Sequence, residues 1–159
     1  MKTVICVDIH GKMHEVPADQ LSFRPAVYGI IIENRKILLS REWDGYDLPG
    51  GGIKLGETIN EALMREVKEE TGYSVSPGKL VACEESFFKK LSKDEFVHSI
   101  LLYYFCSIQG GEASTKFFNG NEKTYMSKPE WIDLDKIRDL KFYSSVDLVE
   151  IIETAKIFS

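Results

Sequence analysis

The chain has 159 residues, a formal net charge of −5, and 43% hydrophobic and 28% charged residues. This length and apolar content predict one globular domain with a substantial core. The acidic balance disfavours a protein that holds a long nucleic acid by its phosphates. No apolar run approaches the length of a membrane span, so no membrane partner is expected.

The cysteines and the first residues indicate a cytoplasmic protein. Cys6, Cys83 and Cys106 are odd in number and widely spaced, which favours free thiols in a reducing compartment over disulfides or a zinc site. The first eleven residues, MKTVICVDIHG, contain no cleavage-site pattern. They therefore do not resemble a signal peptide.

Two short strands open the chain, over residues 3–8 and 13–16, joined at His10-Gly11-Lys12. They predict an N-terminal β-hairpin within residues 1–20. Such a hairpin could extend a sheet or mediate formation of a homodimer.

A hairpin leads into the central part of the chain. Residues 26–33 form a nearly continuous apolar run, typical of a strand that is buried on both faces. The pattern predicts a turn at Asn34-Arg35, a returning strand over 36–40, a polar loop over 41–45 and a short strand over 46–48.

The next stretch combines a glycine loop with a helix whose two ends are marked. Pro49 and three glycines form the loop, because glycine adopts backbone conformations that other residues avoid. Thr58 and Glu61 form a capping box, and Gly72 lies where a left-handed C-terminal cap is expected. These signals predict a helix over residues 58–71.

One face of that helix carries an unusual concentration of acid. Three apolar side chains project to one side: Leu63, Met64 and Val67. Three carboxylates share the neighbouring arc: Glu66, Glu69 and Glu70. Glu66 and Glu70 are like charges four residues apart, and carboxylates near a helix C-terminus oppose the macrodipole, each typically costing a few tenths of a kcal/mol. A solvated acidic face would explain them, but the adjoining glycine loop favours a site for a hard divalent cation, which binds carboxylate and carbonyl oxygens.

Strands dominate the second half of the chain. Two strands are predicted over residues 80–88 and 96–108, joined by a charged turn over 89–95, and the length of the second suggests a bend or bulge. A loop rich in Gly, Asn, Lys and Ser follows over 110–127. Near its end the chain has a predicted helix capped by Ser144 or Ser145.

The residues around the acidic helix resemble the Nudix box in full. The matching positions are Gly51, Glu57, Arg65, Glu66, Val67, Glu69, Glu70, Gly72 and the apolar position that follows. Tyr73 stands at that last position, where the family usually has an aliphatic residue. The resemblance implies an α+β fold over about residues 23–159: a Nudix-like α/β/α sandwich with a mixed β-sheet, the box helix and a C-terminal helix. With the N-terminal hairpin as an extension, we expect one domain over residues 1–159.

The resemblance also implies a chemistry. Nudix enzymes hydrolyse a nucleoside diphosphate linked to another group, by attack of water at phosphorus with Mg²⁺, for which Mn²⁺ can substitute. By position, the Gly51 carbonyl and three glutamates would hold the metal: Glu66, Glu69 and Glu70. Arg65 and Glu57 would pair and brace the loop against the helix.

The carboxylate that activates water varies in the family, being a box glutamate, here Glu66 or Glu69, or an acid from a later loop. Glu122, in the loop before Trp131, is the best candidate for that later acid. A solvated loop carboxylate is the alternative interpretation of Glu122. Three other acids remain candidates: Glu84, Glu85 and Glu112.

The substrate is less well defined. The proline or tyrosine that marks the ADP-ribose and dinucleoside polyphosphate branches is missing after the box. We therefore expect a small nucleotide: a nucleoside triphosphate, including oxidised ones, or a nucleotide sugar. Candidate contacts are two arginines that could bind phosphate oxygens and two aromatic residues that could stack a base: Arg24, Arg41, Trp43 and Phe87.

Two alternatives stay open. Removal of pyrophosphate from RNA 5′ ends is disfavoured by the net charge, although a basic patch of Lys89, Lys90 and Lys93 would favour it. A non-catalytic module that senses a nucleotide is disfavoured because such modules usually lose box glutamates, and this chain retains all of them.

Overall fold

A computed structural model describes residues 1–91 and 93–159. Ser92, in the charged turn predicted over 89–95, lies outside the described residues. Within the described part, no helix combines the length and the apolar character needed to cross a bilayer.

Two sheets and a few helices make up the fold. In chain order, the strands are β1 (Thr3–Val7), β2 (Met13–Pro17), β3 (Leu21–Phe23), β4 (Ala26–Ile30), β5 (Ile32–Glu33), β6 (Lys36–Glu42), β7 (Gly45–Asp47), β8 (Gly50–Gly52), β9 (Tyr73–Lys89), β10 (Phe96–Gly111) and β11 (Met126–Asp133). The helices are α1 (Ile59–Thr71), α2 (Glu122–Tyr125) and α3 (Leu148–Ala155), with short 3₁₀ turns at Ala18–Gln20, Leu134–Asp139 and Lys156–Phe158.

The larger sheet has seven strands and is mixed, in the order β2-β1-β9-β10-β4-β8, with β3 also paired to β10. The long strands β9 and β10 are antiparallel, and the expected irregularity is present as register shifts between Tyr103 and Cys106 and again after Ile108. The hairpin β1/β2 joins this sheet at its edge, through a parallel pairing of Val7 with Phe88. The N-terminal segment therefore extends the sheet.

The smaller sheet has four strands, and β6 pairs with each of the other three: β11, β5 and β7. The single strand expected over residues 26–33 is in fact two strands, because the chain passes from one sheet to the other at Ile31. The Ile31 carbonyl accepts a hydrogen bond from the backbone N–H of Leu38, at 3.0 Å. The loop expected over 41–45 is also shorter, since β6 continues to Glu42 and leaves a two-residue turn before β7.

Side chains alternate between two hydrophobic cores on opposite faces of the sheets, as strand geometry requires. On β4, Ala26 and Ile30 belong to the core that contains α3, whereas Val27 belongs to the core that contains α1. On β6, Leu39 and Leu38 divide in the same way. The sheets thus lie between the two helices, which confirms the expected α+β sandwich.

Helix α1 has both of the predicted ends. The Thr58 side chain accepts a hydrogen bond from the Glu61 backbone N–H, and the Glu61 carboxylate accepts one from the Thr58 N–H. Gly72 follows the helix in the left-handed conformation, with φ of 83°, and its N–H bonds to the Lys68 carbonyl. Caps of this kind satisfy backbone groups that the helix itself leaves free.

Two elements near the C-terminus differ from the expectation. Helix α3 is capped by Asp147, which accepts from the Glu150 backbone N–H at 3.1 Å, and not by Ser144 or Ser145. The loop expected over residues 110–127 contains the four-residue helix α2. A helix this short has no amphipathic repeat, so periodicity could not reveal it.

Two glycines with positive φ allow a test of the role of Gly72. A Cβ at Gly72 would overlap the Glu112 carbonyl oxygen, whereas a Cβ at Gly56, with φ of 88°, would meet nothing within 4 Å. We expect Gly56→Ala to lower the free energy of unfolding by about 1–2 kcal/mol, the usual cost of a left-handed non-glycine residue. Gly72→Ala should cost clearly more, because the overlap adds to the same backbone strain. Urea unfolding measures both variants, and equal losses would contradict this steric role.

Candidate active site

The glycine loop and helix α1 meet closely at Gly51. The pairing of β8 with β4 sets Gly51 opposite Val27, on the sheet face that α1 covers. A Cβ at Gly51 would lie only 2.7–2.8 Å from the carboxylate atoms of Glu66. Only glycine permits this approach, which brings a loop backbone beside a helix carboxylate.

Arg65 joins the loop to the helix. Its Nε donates to Glu57 Oε1 at 2.5 Å, and its Nη2 donates to Glu57 Oε2 at 2.9 Å and to the Gly52 carbonyl at 3.1 Å. Its Nη1 donates to Glu66 Oε1 at 2.7 Å. The forked guanidinium can make several such bonds at once, so one side chain fixes both segments.

Three carboxylates come together beside this brace. Glu66 and Glu69 lie on α1, whereas Glu122 lies at the start of α2, far along the chain from both. One carboxylate oxygen from each of Glu66, Glu69 and Glu122 lies within 4.8 Å of the other two. The loop acid chosen from the sequence is therefore spatially adjacent to the helix acids.

The charges in this acidic cluster (Glu66, Glu69 and Glu122) are concentrated and only partly compensated. Burial raises the pKa of Glu66, and the hydrogen bond from Arg65 offsets part of that rise. Burial also raises the pKa of Glu122, with further contributions from the charges of Glu69 and Glu66. Oxygen ligands at this density suit a hard divalent cation, which neutralises the repulsion between them.

Glu70 points elsewhere. Its Oε2 accepts a hydrogen bond from Ser40 Oγ at 2.8 Å and one from the Gly50 backbone N–H at 3.2 Å. Burial raises its pKa well above the usual value. In this arrangement Glu70 ties α1 to β6 and to the glycine loop, and it lies outside the acidic cluster, so its role as a metal ligand stays a prediction.

Sequence reasoning missed a second group of ionisable side chains, whose charges interact with one another and with the carboxylates of the site. Burial raises the pKa of Glu42, at the end of β6, to about 7. Burial and the charge of Glu42 raise the pKa of Asp47. The pKa of Tyr125 is raised by burial and then by four surrounding carboxylates: Glu42, Glu70, Glu122 and Glu66. No sequence signal identified them, because they belong to short elements without a motif.

Of the candidate substrate contacts, Arg24 is the one near the glycine loop. Its guanidinium lies where a Gly52 side chain would begin, with Nε 2.7 Å from the position of a Cβ. Arg41 instead donates to the Tyr46 hydroxyl at 2.7 Å and faces the Tyr46 ring. Trp43 stacks on Tyr125. Of these three side chains, Arg24 is therefore the one that lies beside the glycine loop.

Phe87 and the alternative acids lie apart from the cluster. The Phe87 ring stacks on His98 with a centroid distance of 4.4 Å. Glu85 Oε1 is 2.8 Å from His98 Nε2 and so is also engaged there. Glu112 is exposed in the loop after β10, and among the described residues the acidic cluster includes neither it nor Glu84.

The family model for the NUDIX domain matches residues 22–151 of this chain. The chain belongs to the Nudix family. It is 30% identical over 138 residues to an ADP-ribose pyrophosphatase of Methanocaldococcus jannaschii, an alignment that covers 82% of this chain and 75% of that protein. It is 28% identical over 131 residues to an 8-oxo-dGTP diphosphatase of Buchnera aphidicola, covering 78% of this chain and 85% of that one.

Solved structures share the fold of this chain. A NUDIX hydrolase from Nitrosomonas europaea superposes with a TM-score of 0.68 and 23% identity, covering 86% of this chain and 90% of that one. This likeness concerns the fold. Together with the curated relatives, which are pyrophosphatases, the family match makes this protein a Nudix pyrophosphohydrolase.

The brace between Glu57 and Arg65 predicts a pH dependence of stability. The hydrogen bond from Arg65, followed by that from the Lys54 backbone N–H, lowers the pKa of Glu57 from 4.5 to about 2. A lowered folded-state pKa contributes stability above the unfolded-state pKa, and this contribution is lost as pH falls through the folded-state value. We expect Glu57→Gln to be less stable than the wild type at pH 7, with the difference narrowing below about pH 4.5.

Urea unfolding at pH 7, 5, 4 and 3, in EDTA, measures that difference. Glu33→Gln serves as control, because Glu33 is exposed at the end of β5. A difference between wild type and Glu57→Gln that stayed constant down to pH 3 would contradict the assignment.

Proposed function

We propose that this Nudix protein is a Mg²⁺-dependent hydrolase that cleaves the pyrophosphate bond of a nucleoside diphosphate linked to another group. The supporting observation is the acidic cluster, which stands directly beside the glycine loop at Gly51. A pyrophosphate is anionic and repels a nucleophile. A site that hydrolyses it therefore needs a bound cation, and carboxylates can bind one.

The donors present fit Mg²⁺, with Mn²⁺ as a substitute. Glu66, Glu69 and the Gly51 carbonyl would hold the ion, and Glu70 is a further candidate ligand if its bonds to Ser40 and Gly50 rearrange. When bound, such an ion neutralises phosphate charge and makes a bound water more acidic. All of these donors are oxygen atoms, which is the ligand type that Mg²⁺ prefers.

The remaining roles fall to residues around the cluster. Glu122 is our candidate for the carboxylate that takes the proton of the attacking water, because it faces the helix acids from a separate segment. The backbone N–H and the side-chain amide of Asn119 orient it, with distances of 2.7 and 2.6 Å. Arg65 and Glu57 hold the loop in register with the helix. Arg24, above Gly52, is our candidate for a phosphate contact.

For the substrate, we propose a small nucleotide, with a nucleoside triphosphate, including oxidised ones, as first candidate. The relative named 8-oxo-dGTP diphosphatase supports that choice. The relative named ADP-ribose pyrophosphatase supports a second candidate, a nucleoside diphosphate linked to a sugar. Both substrates share the bond that the site would cleave.

RNA 5′ ends are less well supported. Lys89 Nζ lies 2.6 Å from Asp94 Oδ1, and Lys90 Nζ lies 2.8 Å from Glu95 Oε2. Neighbouring carboxylates thus neutralise the charges of two of the three lysines in the basic patch. A neutralised patch attracts a phosphate backbone weakly, because few counterions are released on binding.

Substitution of the clustered acids tests the proposed site. We expect Glu69→Gln to lower Mg²⁺-dependent turnover by orders of magnitude, and Glu122→Gln to lower it by more than about tenfold, or roughly 1.4 kcal/mol of barrier. Glu112→Gln, an exposed loop acid outside the cluster, is the matched control and should keep wild-type turnover. A Glu122→Gln rate within about threefold of wild type would remove Glu122 from the proton-transfer role.

The substrate is tested by a phosphate-release screen with Mg²⁺. The panel comprises dNTPs, 8-oxo-dGTP, ADP-ribose, nucleotide sugars, dinucleoside polyphosphates and triphosphorylated RNA. We expect one dominant small nucleotide, whose KM rises in Arg24→Ala because a phosphate contact is lost. Turnover of RNA alone, or of none of the panel, would contradict the proposal.

A further inference from the structure

Glu122 reaches the acidic cluster from a segment with little regular structure. Residues 112–121, between β10 and α2, contain only turns and bends, and α2 itself has four residues. Asn119 orients the Glu122 carboxylate, but Asn119 belongs to the same segment.

The segment contacts the C-terminal end of α1 at two points: the Ser114 backbone N–H donates to the Thr71 carbonyl at 3.0 Å, and Lys68 Nζ lies 4.9 Å from the centre of the Phe117 ring. These contacts hold the chain before Glu122, and a contact at the end of α2 would hold it after Glu122.

Trp43 supplies such a contact on the other side of α2. Its indole ring stacks on the ring of Tyr125, the last residue of α2, with centroids 4.8 Å apart and planes inclined by 23°. Its backbone N–H donates to the Tyr125 carbonyl at 2.9 Å. The next residue, Met126, pairs with Glu42 of β6. The end of α2 is thus joined to the β6–β7 turn by both side chain and backbone.

The turn that carries Trp43 is strained and firmly held. Trp43 has φ of 42°, a region that favours glycine. The segment between the second 3₁₀ turn and α3 fixes this turn: Tyr143 packs edge-on against Trp43 at 4.9 Å, and Lys141 and Tyr143 both donate to Asp44. A strained backbone conformation persists where the surrounding contacts hold the residue in place, and such residues are concentrated at functional sites.

Tyr125 places this stack next to the acidic cluster. Tyr125 lies three residues after Glu122 in α2, and the backbone N–H of the next residue, Met126, donates to the Glu122 carbonyl. Burial, followed by the charges of carboxylates that include Glu122 and Glu66, raises the pKa of Tyr125. Trp43 lies at the outer end of the stack and remains 42% exposed. The pair therefore extends from the protein surface to the cluster.

We propose that Trp43 is a positioning residue that, by stacking on Tyr125, holds Glu122 within the acidic cluster and so sets the cation affinity of the site. This inference rests on the proposed function and extends it, because Glu122 would then contact the divalent cation together with Glu66 and Glu69, in addition to its role as candidate proton acceptor. It gives Trp43 a role different from direct stacking on a substrate base.

Mn²⁺ alone is the probe, with affinity measured by EPR titration without substrate. The central variant is Trp43→Gly, because glycine is favoured at positive φ and so removes the ring without adding backbone strain. We expect Trp43→Gly to lower the Mn²⁺ affinity by about tenfold, as is typical when residues that orient metal ligands are removed. Trp43→Phe, which keeps an aromatic face, should stay within about threefold of wild type.

A double-mutant cycle with Glu122→Gln separates positioning from a general structural role. If Trp43 acts through Glu122, the double variant binds Mn²⁺ no more weakly than Glu122→Gln alone. If the two losses multiply instead, or if Trp43→Gly keeps wild-type affinity while Glu122→Gln loses it, the inference is wrong and the proposed site stands. If Glu69→Gln and Glu122→Gln both keep wild-type affinity, the proposed metal site fails and the inference fails with it.

Folding is checked by circular dichroism and thermal melting of each variant. Should Trp43→Gly not fold, Trp43→Leu carries the same comparison, since leucine keeps apolar bulk but lacks an aromatic face.

Discussion

The site depends on one electrostatic constraint: three carboxylates lie close together, and their mutual repulsion must not separate the segments that carry them. Glu66, Glu69 and Glu122 converge to within 4.8 Å. Arg65 compensates part of their charge, since its guanidinium bonds to Glu66 and lies 3.4 Å from Glu69. The same side chain binds Glu57 and the Gly52 carbonyl, so charge compensation and loop placement are one interaction.

Several residues around the acidic cluster are in locally unfavourable arrangements. Glu66 and Glu70 repel each other along the helix, and burial disfavours the charged form of both. Trp43 occupies a backbone region that favours glycine. Each of these unfavourable arrangements lies in or beside the acidic cluster. Departures from local stability rules are expected at the functional site of a protein.

Two kinds of support hold the glutamates. The caps at Thr58 and Gly72 fix the ends of α1, and the core side chains Leu63 and Val67 hold its apolar face on the sheet. Glu122 has no comparable scaffold, because α2 is a single turn at the end of an irregular segment. The helix acids are thus preorganised by regular structure, whereas the loop acid depends on side-chain packing.

The sequence by itself determined the features that depend on short-range order. Helix α1, its caps and the spacing of the box follow from hydrogen bonds and periodicity within about four residues, and they are present in the structure as expected. The Arg65–Glu57 pair, whose ends lie eight residues apart, was instead implied by the resemblance to the Nudix box, and it is present in the structure.

Only the tertiary structure decided the features that join distant segments. It divided the apolar run at Ile31 between two sheets, turned Glu70 towards Ser40, and brought Tyr125 onto Trp43. It also placed Glu122 beside the helix acids. Such contacts form when long loops close and bring distant segments together. Loop closure leaves no periodic pattern in the sequence of the residues that meet, so periodicity could not predict these contacts.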